Sequence, residues 1–174
     1  MFTVADPKGY TMDRWQVWTD TGGTFTDGFA VDPQRQLHCC KVLSHGALRG
    51  RIARRLDDRT FEIDSDWQLP SSFLRSYQLI VLSDNATSGS LTVVEHDAAN
   101  NSLRVDSRLP ELTLGVAFEV WSGESAPILA ARVMTRTALA DELPSMELRL
   151  ATTRGTNALL ERRGAPTALF ITKG

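Results

Sequence analysis

The chain contains only two cysteines, and these are neighbours, Cys39 and Cys40. Neighbouring side chains on a strand point to opposite faces, and adjacent cysteines rarely bridge. An intrachain disulfide framework is therefore excluded, and a reducing, cytoplasmic setting fits the composition. His38 precedes the pair, but three consecutive residues do not readily converge on one ion, so ordinary packing is favoured over a zinc site.

The sequence also lacks a long apolar run and a large excess of charge of one sign. No stretch of about 18 apolar residues occurs, so no membrane span is expected. The N-terminus has no basic region followed by an apolar core, so no signal peptide is expected. The formal net charge of the 174 residues is −2, which gives no reason to expect binding to nucleic acid or to a membrane surface.

The most informative segment that is present runs from Asp20 to Asp27, with the sequence Asp-Thr-Gly-Gly-Thr-Phe-Thr-Asp. Alternating apolar residues flank it on both sides, which indicates a strand, a glycine turn and a second strand. Gly22 and Gly23 allow positive φ and a close approach of the backbone to a ligand. A turn rich in N–H and hydroxyl donors beside a carboxylate suits the terminal phosphates of a nucleotide. A plain hairpin turn is the alternative.

This segment supplies most of the candidate site residues. Asp20, at the end of the first strand, is expected to hold a divalent cation such as Mg²⁺ through water. Asp27 either faces the nucleotide and its metal or closes the loop as an Asx-turn acceptor. The residues predicted to bind phosphate are Thr21, Gly22, Gly23, Thr24 and Thr26.

A second informative segment lies near the C-terminus, from Thr152 to Ala165. Thr152 and Thr153 follow an alternating strand and precede a helical pattern. Their hydroxyls either donate to a phosphate or substrate, or cap the helix. Asn157, in the first turn of that helix, either caps it locally or contacts the ligand. No Ser-His-Asp or Cys-His arrangement is evident from the order of residues, so no catalytic residue is assigned.

Together the two segments resemble the N-terminal domain of the hydantoinase A / 5-oxoprolinase family. The family's GGTFTD turn is intact at residues 22–27, its KVLS strand end is similar to residues 41–44, and its TNALLERKGA run is similar to residues 156–165. Two departures stand out. Leu150-Ala151 replaces the usual His-Gly, so no role for that histidine is implied, and Arg154-Gly155 replaces the usual Val-Ala. The resemblance covers residues 15–45 and 148–174.

The resemblance implies an α/β fold, mixed with α+β character, of the actin/sugar-kinase or ribonuclease H-like type. Residues 1–49 would begin a nucleotide-binding half-domain, residues 50–125 would be a β-rich insertion, and residues 126–174 would continue the half-domain up to a truncation at Gly174. ATP and Mg²⁺ are the implied cofactors. Because the second lobe of such a site is expected beyond Gly174, the chain alone is expected to be inactive.

The activity implied by the resemblance is that of a hydrolase that opens a cyclic amide of the hydantoin or 5-oxoproline type through a phosphorylated intermediate. A hydantoinase B-type subunit or fused domain is the implied protein partner. A related branch of the family carboxylates ketones by similar activation. The alternative from another class is a non-catalytic, actin-like module that regulates or docks a partner.

Apolar periodicity gives the remaining elements. The expected strands cover residues 15–20, 25–32, 36–43, 60–63, 77–83, 90–96, 102–105, 117–121, 147–151 and 167–172. Helices are expected over residues 127–140 and 156–163, and a short basic helix or a loop over 49–60. Within the β-rich part, period-2 alternation predicts the inward positions Leu79, Val81, Leu91, Val93, Leu103, Val105, Phe118 and Val120.

Overall fold

The computed structural model describes residues 13–82, 89–109, 115–162, 166, 168 and 170–172. Its elements, in chain order, are β1 (Trp15–Thr21), β2 (Phe25–Val31), β3 (Leu37–Leu43), β4 (Ala47–Arg55), β5 (Thr60–Asp64), β6 (Gln78–Leu82), β7 (Leu91–Asp97), β8 (Ser102–Val105), β9 (Ala117–Trp121), α1 (Ala126–Thr135), β10 (Met146–Thr152) and α2 (Arg154–Leu160). Among the described residues, neither helix is long and apolar enough to cross a membrane.

All ten strands of the described chain belong to one mixed sheet, in the order β10-β1-β2-β3-β4-β5-β8-β7-β6-β9. The first three strands in the chain form an antiparallel meander, as predicted from the alternation of residues 15–43. β4 also pairs with β9, so the six strands from β4 to β9 close on themselves in a ring. β10 runs parallel to β1 at the other end of the sheet.

The ring of six strands is filled with apolar side chains. All eight positions predicted to point inward are buried, and six of them, including Phe118 and Leu103, have no exposed surface. The buried residues of the ring and of the meander belong to a single continuous cluster. The period-2 pattern of these short strands therefore identified the core of this part correctly.

The expected actin-like α/β fold is wrong. The described chain is dominated by the ten-stranded mixed sheet, with only two helices, of 10 and 7 residues. A nucleotide-binding fold of the expected type has helices on both faces of its sheet. Here α1 packs on one face of the meander, while Phe25 and Phe29 on the other face are 43 % and 49 % exposed.

Residues 49–60, expected to be a basic helix or a loop, contribute most of β4 instead. Leu48, Gly50 and Ile52 point inward and Arg49 and Arg51 point outward, which is the alternation of a strand. The first half of β4 pairs with β9, and its second half, from Arg51 onward, pairs with β5. This pairing outweighs the local preference of the arginines for helix.

The C-terminal part begins with α1, which starts one residue before the predicted position and ends earlier, at Thr135, with Arg136 as its C-cap. Arg136 adopts the left-handed conformation, with φ of 57°, which closes the helix. β10 and α2 lie within two or three residues of their predicted ranges, and β10 pairs in parallel with β1. Residues 163–165, 167 and 169 lie outside the described residues, and the described positions in 167–172 carry no strand.

Candidate functional site

The glycine turn between β1 and β2 lies at the end of the sheet where β10 also ends. Within the turn, the N–H of Gly22 donates to the carbonyl of Phe25 at 2.9 Å. Ser44, just after β3, holds the turn from the other side, because its N–H donates to the carbonyl of Thr24 at 2.9 Å and its Oγ donates to the carbonyl of Gly22 at 3.0 Å. Gly23 and Thr24 stay exposed at the tip.

A side chain at position 22 would be crowded, whereas a Cβ at position 23 would make only ordinary contact. Neither glycine uses the positive φ that glycine allows; among the described glycines, only those at 46, 115 and 123 do. A Cβ on Gly22 would lie 3.2 Å from the carbonyl oxygen of Phe25, closer than side chains normally approach. A Cβ on Gly23 would lie 3.7 Å from Nδ2 of Asn157. The absent side chains thus leave the turn backbone open towards α2.

The two sequence segments that carried the family resemblance meet at this turn. β1 and β10 are parallel and in register up to the pair Thr21 and Thr152. The carbonyl of Thr21 accepts hydrogen bonds from the N–H of Thr153 at 3.1 Å and from Oγ1 of Thr152 at 3.2 Å. Thr153 and Asn157 therefore lie beside Gly22 and Gly23. Parallel pairing brings together groups that lie about 130 residues apart in the chain.

The hydroxyls of the turn differ in their availability. Thr21 and Thr26 are buried, and Oγ1 of Thr26 donates to Oγ1 of Thr21 at 3.1 Å, so both hydroxyls face the packed side of the sheet. Thr24 is exposed at the tip. The Thr153 hydroxyl does not cap α2, and among the described residues neither it nor the side-chain amide of Asn157 has a hydrogen-bond partner. These last three groups are the ones that a ligand at the turn would meet.

Two carboxylates lie side by side on the exposed face of the same strands. Asp20 on β1 is the direct cross-strand partner of Asp27 on β2, so both side chains point to the same face. Asp27 lies inside β2 and does not close an Asx turn; its Oδ1 is 2.8 Å from Nζ of Lys41 on β3. Like charges in this position destabilise a sheet, and Lys41 offsets only part of the repulsion.

The donor set suits a hydrated divalent cation. Mg²⁺ keeps most of its water shell and is usually held by one or two carboxylates together with phosphate oxygens. Asp20 and Asp27 provide two such carboxylates beside the turn. No group of three or more metal-ligating side chains occurs in the part of the chain that the structure describes, so a fully protein-coordinated ion is not the kind of site formed by these residues.

Two residues of the site were not among the sequence predictions. Lys41 neutralises Asp27, and Ser44 fixes the turn through two hydrogen bonds. Both belong to the Lys-Val-Leu-Ser strand end that had been recognised only as part of the resemblance. Their spacing from the turn is set by the register of β2 and β3, in which Asp27 faces Lys41, and this register follows from the hairpin connecting the two strands.

Comparison of the chain with protein-family models, with curated proteins and with solved structures found no match. The likeness to the hydantoinase A / 5-oxoprolinase family therefore rests on the motifs in the sequence.

Proposed function

We propose that the Gly22-Gly23 turn binds the terminal phosphates of Mg-ATP in an ATP-dependent amidohydrolase of the hydantoinase / 5-oxoprolinase type. The observation that carries the proposal is the convergence of Gly22 and Gly23 with Thr153 and Asn157. Each of the two sequence motifs suggested a ligand site, and together the two motifs form one surface. The hydrogen-bond donors on that surface are free to bind a ligand.

The chemistry of the surface supports a phosphate ligand. The exposed backbone of Gly23, the hydroxyls of Thr24 and Thr153 and the amide of Asn157 are neutral hydrogen-bond donors, and such donors suit phosphate oxygens. Asp20 and Asp27 would hold Mg²⁺ through its water shell, and the ion would neutralise charge on the transferring phosphoryl group. Lys41 keeps the net charge of the carboxylate pair from becoming too negative for a polyphosphate.

The substrate we propose is a small cyclic amide of the hydantoin or 5-oxoproline class. Transfer of the γ-phosphoryl group of ATP to its carbonyl oxygen, with ADP as the leaving group, would turn a poor electrophile into a good one. Water would then add to the ring carbon, the C–N bond would break with the nitrogen leaving as the protonated amine, and hydrolysis of the resulting acyl phosphate would release phosphate. The role of this chain is to bind and orient the phosphates while charge develops on them. The same role would serve an ATP-dependent ketone carboxylase. A cytoplasmic location and a hydantoinase B-type partner belong to the same proposal.

Calorimetric titration of the chain with Mg-ATP tests the proposal. Asp20→Ala should weaken binding at least tenfold, equivalent to about 1.4 kcal/mol, because the metal loses a carboxylate. Glu95→Gln, which removes an exposed carboxylate of β7, is the matched control and should bind like wild type. Equal affinity of Asp20→Ala and wild type would remove Asp20 from the site.

Thermal unfolding of the same variants separates function from a plain hairpin turn. Asp20 is exposed and faces another carboxylate, so its removal relieves repulsion and should not lower the unfolding temperature. If Asp20 served only the hairpin turn, Asp20→Ala would lower the unfolding temperature, and the affinity for Mg-ATP per folded molecule would stay unchanged.

A further inference from the structure

A cleft opens between β3 and β4, on the side of β3 opposite to β2. β2 pairs with all seven residues of β3, whereas β4 pairs with β3 only at Leu43 and Ala47. β4 then turns away to pair with β9 and, from Arg51 onward, with β5. The two strands therefore diverge from their hairpin, and the space between them is a cavity of about 580 Å³, within the usual size range of ligand sites.

The cavity lies along the edge of β3 and not on its face. All residues from Leu37 to Leu43 line it. Side chains alternate between the two faces of a strand, so a cavity on one face would contact every second residue. Contact with seven consecutive residues means that the strand borders the cavity with its backbone. In the described chain, only Leu43 has a strand partner on this side.

An open strand edge is a template for another strand. Its N–H and C=O groups alternate at a fixed spacing, and water or a new strand must satisfy them. A compact small molecule would meet only a few of these groups, whereas an extended peptide repeats complementary groups at the same spacing. The geometry of β3 therefore favours a peptide.

The other walls supply apolar contacts and positive charge. Trp67, Leu69 and Val133 line the cleft and can take up alternate side chains of an added strand. The charged residues that line the cleft are three cations, Lys41, Arg49 and Arg136, and one carboxylate, Asp66. His38 also lines the cleft.

The cations of the cleft are not equally neutralised. Lys41 pairs with Asp27 and Arg49 with Glu119. Arg136 makes only a long hydrogen bond, 3.4 Å from Nη2 to the carbonyl of Gln68, and no carboxylate among the described residues pairs with it. Its guanidinium is exposed and is well suited to bind a carboxylate in two-pronged geometry.

We propose that this cleft binds an extended peptide segment of a partner protein. The segment adds as a strand to the edge of β3 and carries an acidic side chain that pairs with Arg136. At roughly 3.3 Å per residue, the open length of β3 accommodates about four to six residues. This inference does not depend on the phosphate-binding proposal, and the two surfaces share only Lys41, which pairs with Asp27 and also lines the cleft.

The probe for the test is the labelled peptide acetyl-Val-Thr-Val-Glu-Val-Thr-amide, titrated with the chain by fluorescence anisotropy. A matched peptide that carries N-methyl groups at the alternate residues whose N–H groups would face β3 cannot donate hydrogen bonds to that edge and should bind about tenfold more weakly. A peptide with lysine in place of glutamate should lose about as much. Binding to Arg136→Glu should show the reverse preference, with the lysine peptide favoured. Arg104→Glu on β8, outside the cleft, should keep the wild-type preference.

Val133→Trp fills the cleft from the half-buried helix face and should abolish binding while thermal unfolding stays cooperative. The proposal would be overturned if the N-methyl peptide bound as tightly as the probe, or if folded Val133→Trp kept wild-type affinity. It would also be overturned if Arg136→Glu kept the wild-type charge preference, or if the probe did not bind at about 1 mM. Sedimentation showing a dimer that Val133→Trp dissociates would also overturn it, because the occupant would then be a second copy of the chain.

Discussion

Thr152 lies directly beside Thr21 at the ends of two parallel strands, and its Oγ1 donates to the Thr21 carbonyl at 3.2 Å. This contact has a consequence for the whole site. Thr21 precedes the glycine turn and Thr152 precedes Thr153 and α2, so the register of β10 on β1 determines how close Asn157 comes to Gly23. The geometry of the proposed phosphate site therefore depends on this alignment more than on any single side chain.

Gly23→Val should weaken binding of Mg-ATP by an order of magnitude or more without a comparable loss of stability. Position 23 is exposed, and an added Cβ would lie 3.7 Å from Nδ2 of Asn157, so a branched side chain would occupy the space between the turn and α2. Gly89→Val, at an exposed glycine with no atom near its missing Cβ, is the control. Calorimetry and thermal unfolding check both variants, and undiminished binding by Gly23→Val would argue against a ligand at this turn.

The chain alone should bind Mg-ATP without steady hydrolysis and should not open a hydantoin ring. Gly23 and Thr24 are open to solvent, so this surface neither encloses the phosphates nor excludes water, and both are needed for positioned transfer. Release of inorganic phosphate is the measurement. Sustained turnover by the purified chain that Asp20→Ala abolishes would contradict the expectation of a half-site.

The two cysteines should differ sharply in reactivity. Cys39 is exposed, whereas Cys40 points to the opposite face and its Sγ approaches the carbonyl of Ala130 at 3.6 Å. Burial, with smaller contributions from Cys39 and Asp27, raises the pKa of Cys40 to about 12, so its reactive thiolate is scarce at neutral pH. Iodoacetamide at pH 8 should alkylate Cys39 first, as mass spectrometry of the native protein would show. Equal labelling of both thiols in the folded chain would be inconsistent with the packing of α1 on β3.

Arg132 should be the most sensitive charged residue for stability. Its side chain is only 9 % exposed, it binds both carboxylate oxygens of Glu124, and it donates to the carbonyls of Ala138 and Asp141. Arg132→Met leaves Glu124 and these carbonyls without their partner and should cost about 3 kcal/mol of unfolding free energy. Arg104→Met, which removes an exposed arginine with a distant partner, should cost less than about 0.5 kcal/mol. Denaturant titration measures the unfolding free energy of both variants. Similar losses in Arg132→Met and Arg104→Met would contradict the stabilising role of Arg132.

The sequence predicted the elements whose signals are local. The meander followed from apolar alternation around Gly22 and Gly23, and the inward residues of the ring followed from short period-2 strands. The start of α1 lies within one residue of the predicted position, where Pro127 suits the first helical turn. In each case neighbouring residues alone determine the signal, and tertiary packing does not reverse it.

The sequence did not predict features that depend on distant partners. β4 was missed because Gly50 interrupts its apolar alternation. Gly50 is required by a neighbour far along the chain, since a Cβ there would lie 2.8 Å from the Phe118 ring. The actin-like fold was expected from motifs that cover only the two ends of the chain. The cleft beside β3 exists because β4 pairs with β5 and β9, and no local sequence pattern encodes these pairings.

Amide NMR spectra of the labelled chain, recorded during titration with Mg-ATP, show directly whether the glycine turn binds phosphate. We expect the largest shifts to fall on Gly22, Gly23, Thr24, Thr153 and Asn157 together, to saturate with one affinity, and to be mostly reversed by removal of Mg²⁺. Shifts confined to other parts of the chain, or no saturable shifts at these amides, would contradict the assignment of the turn as a phosphate site.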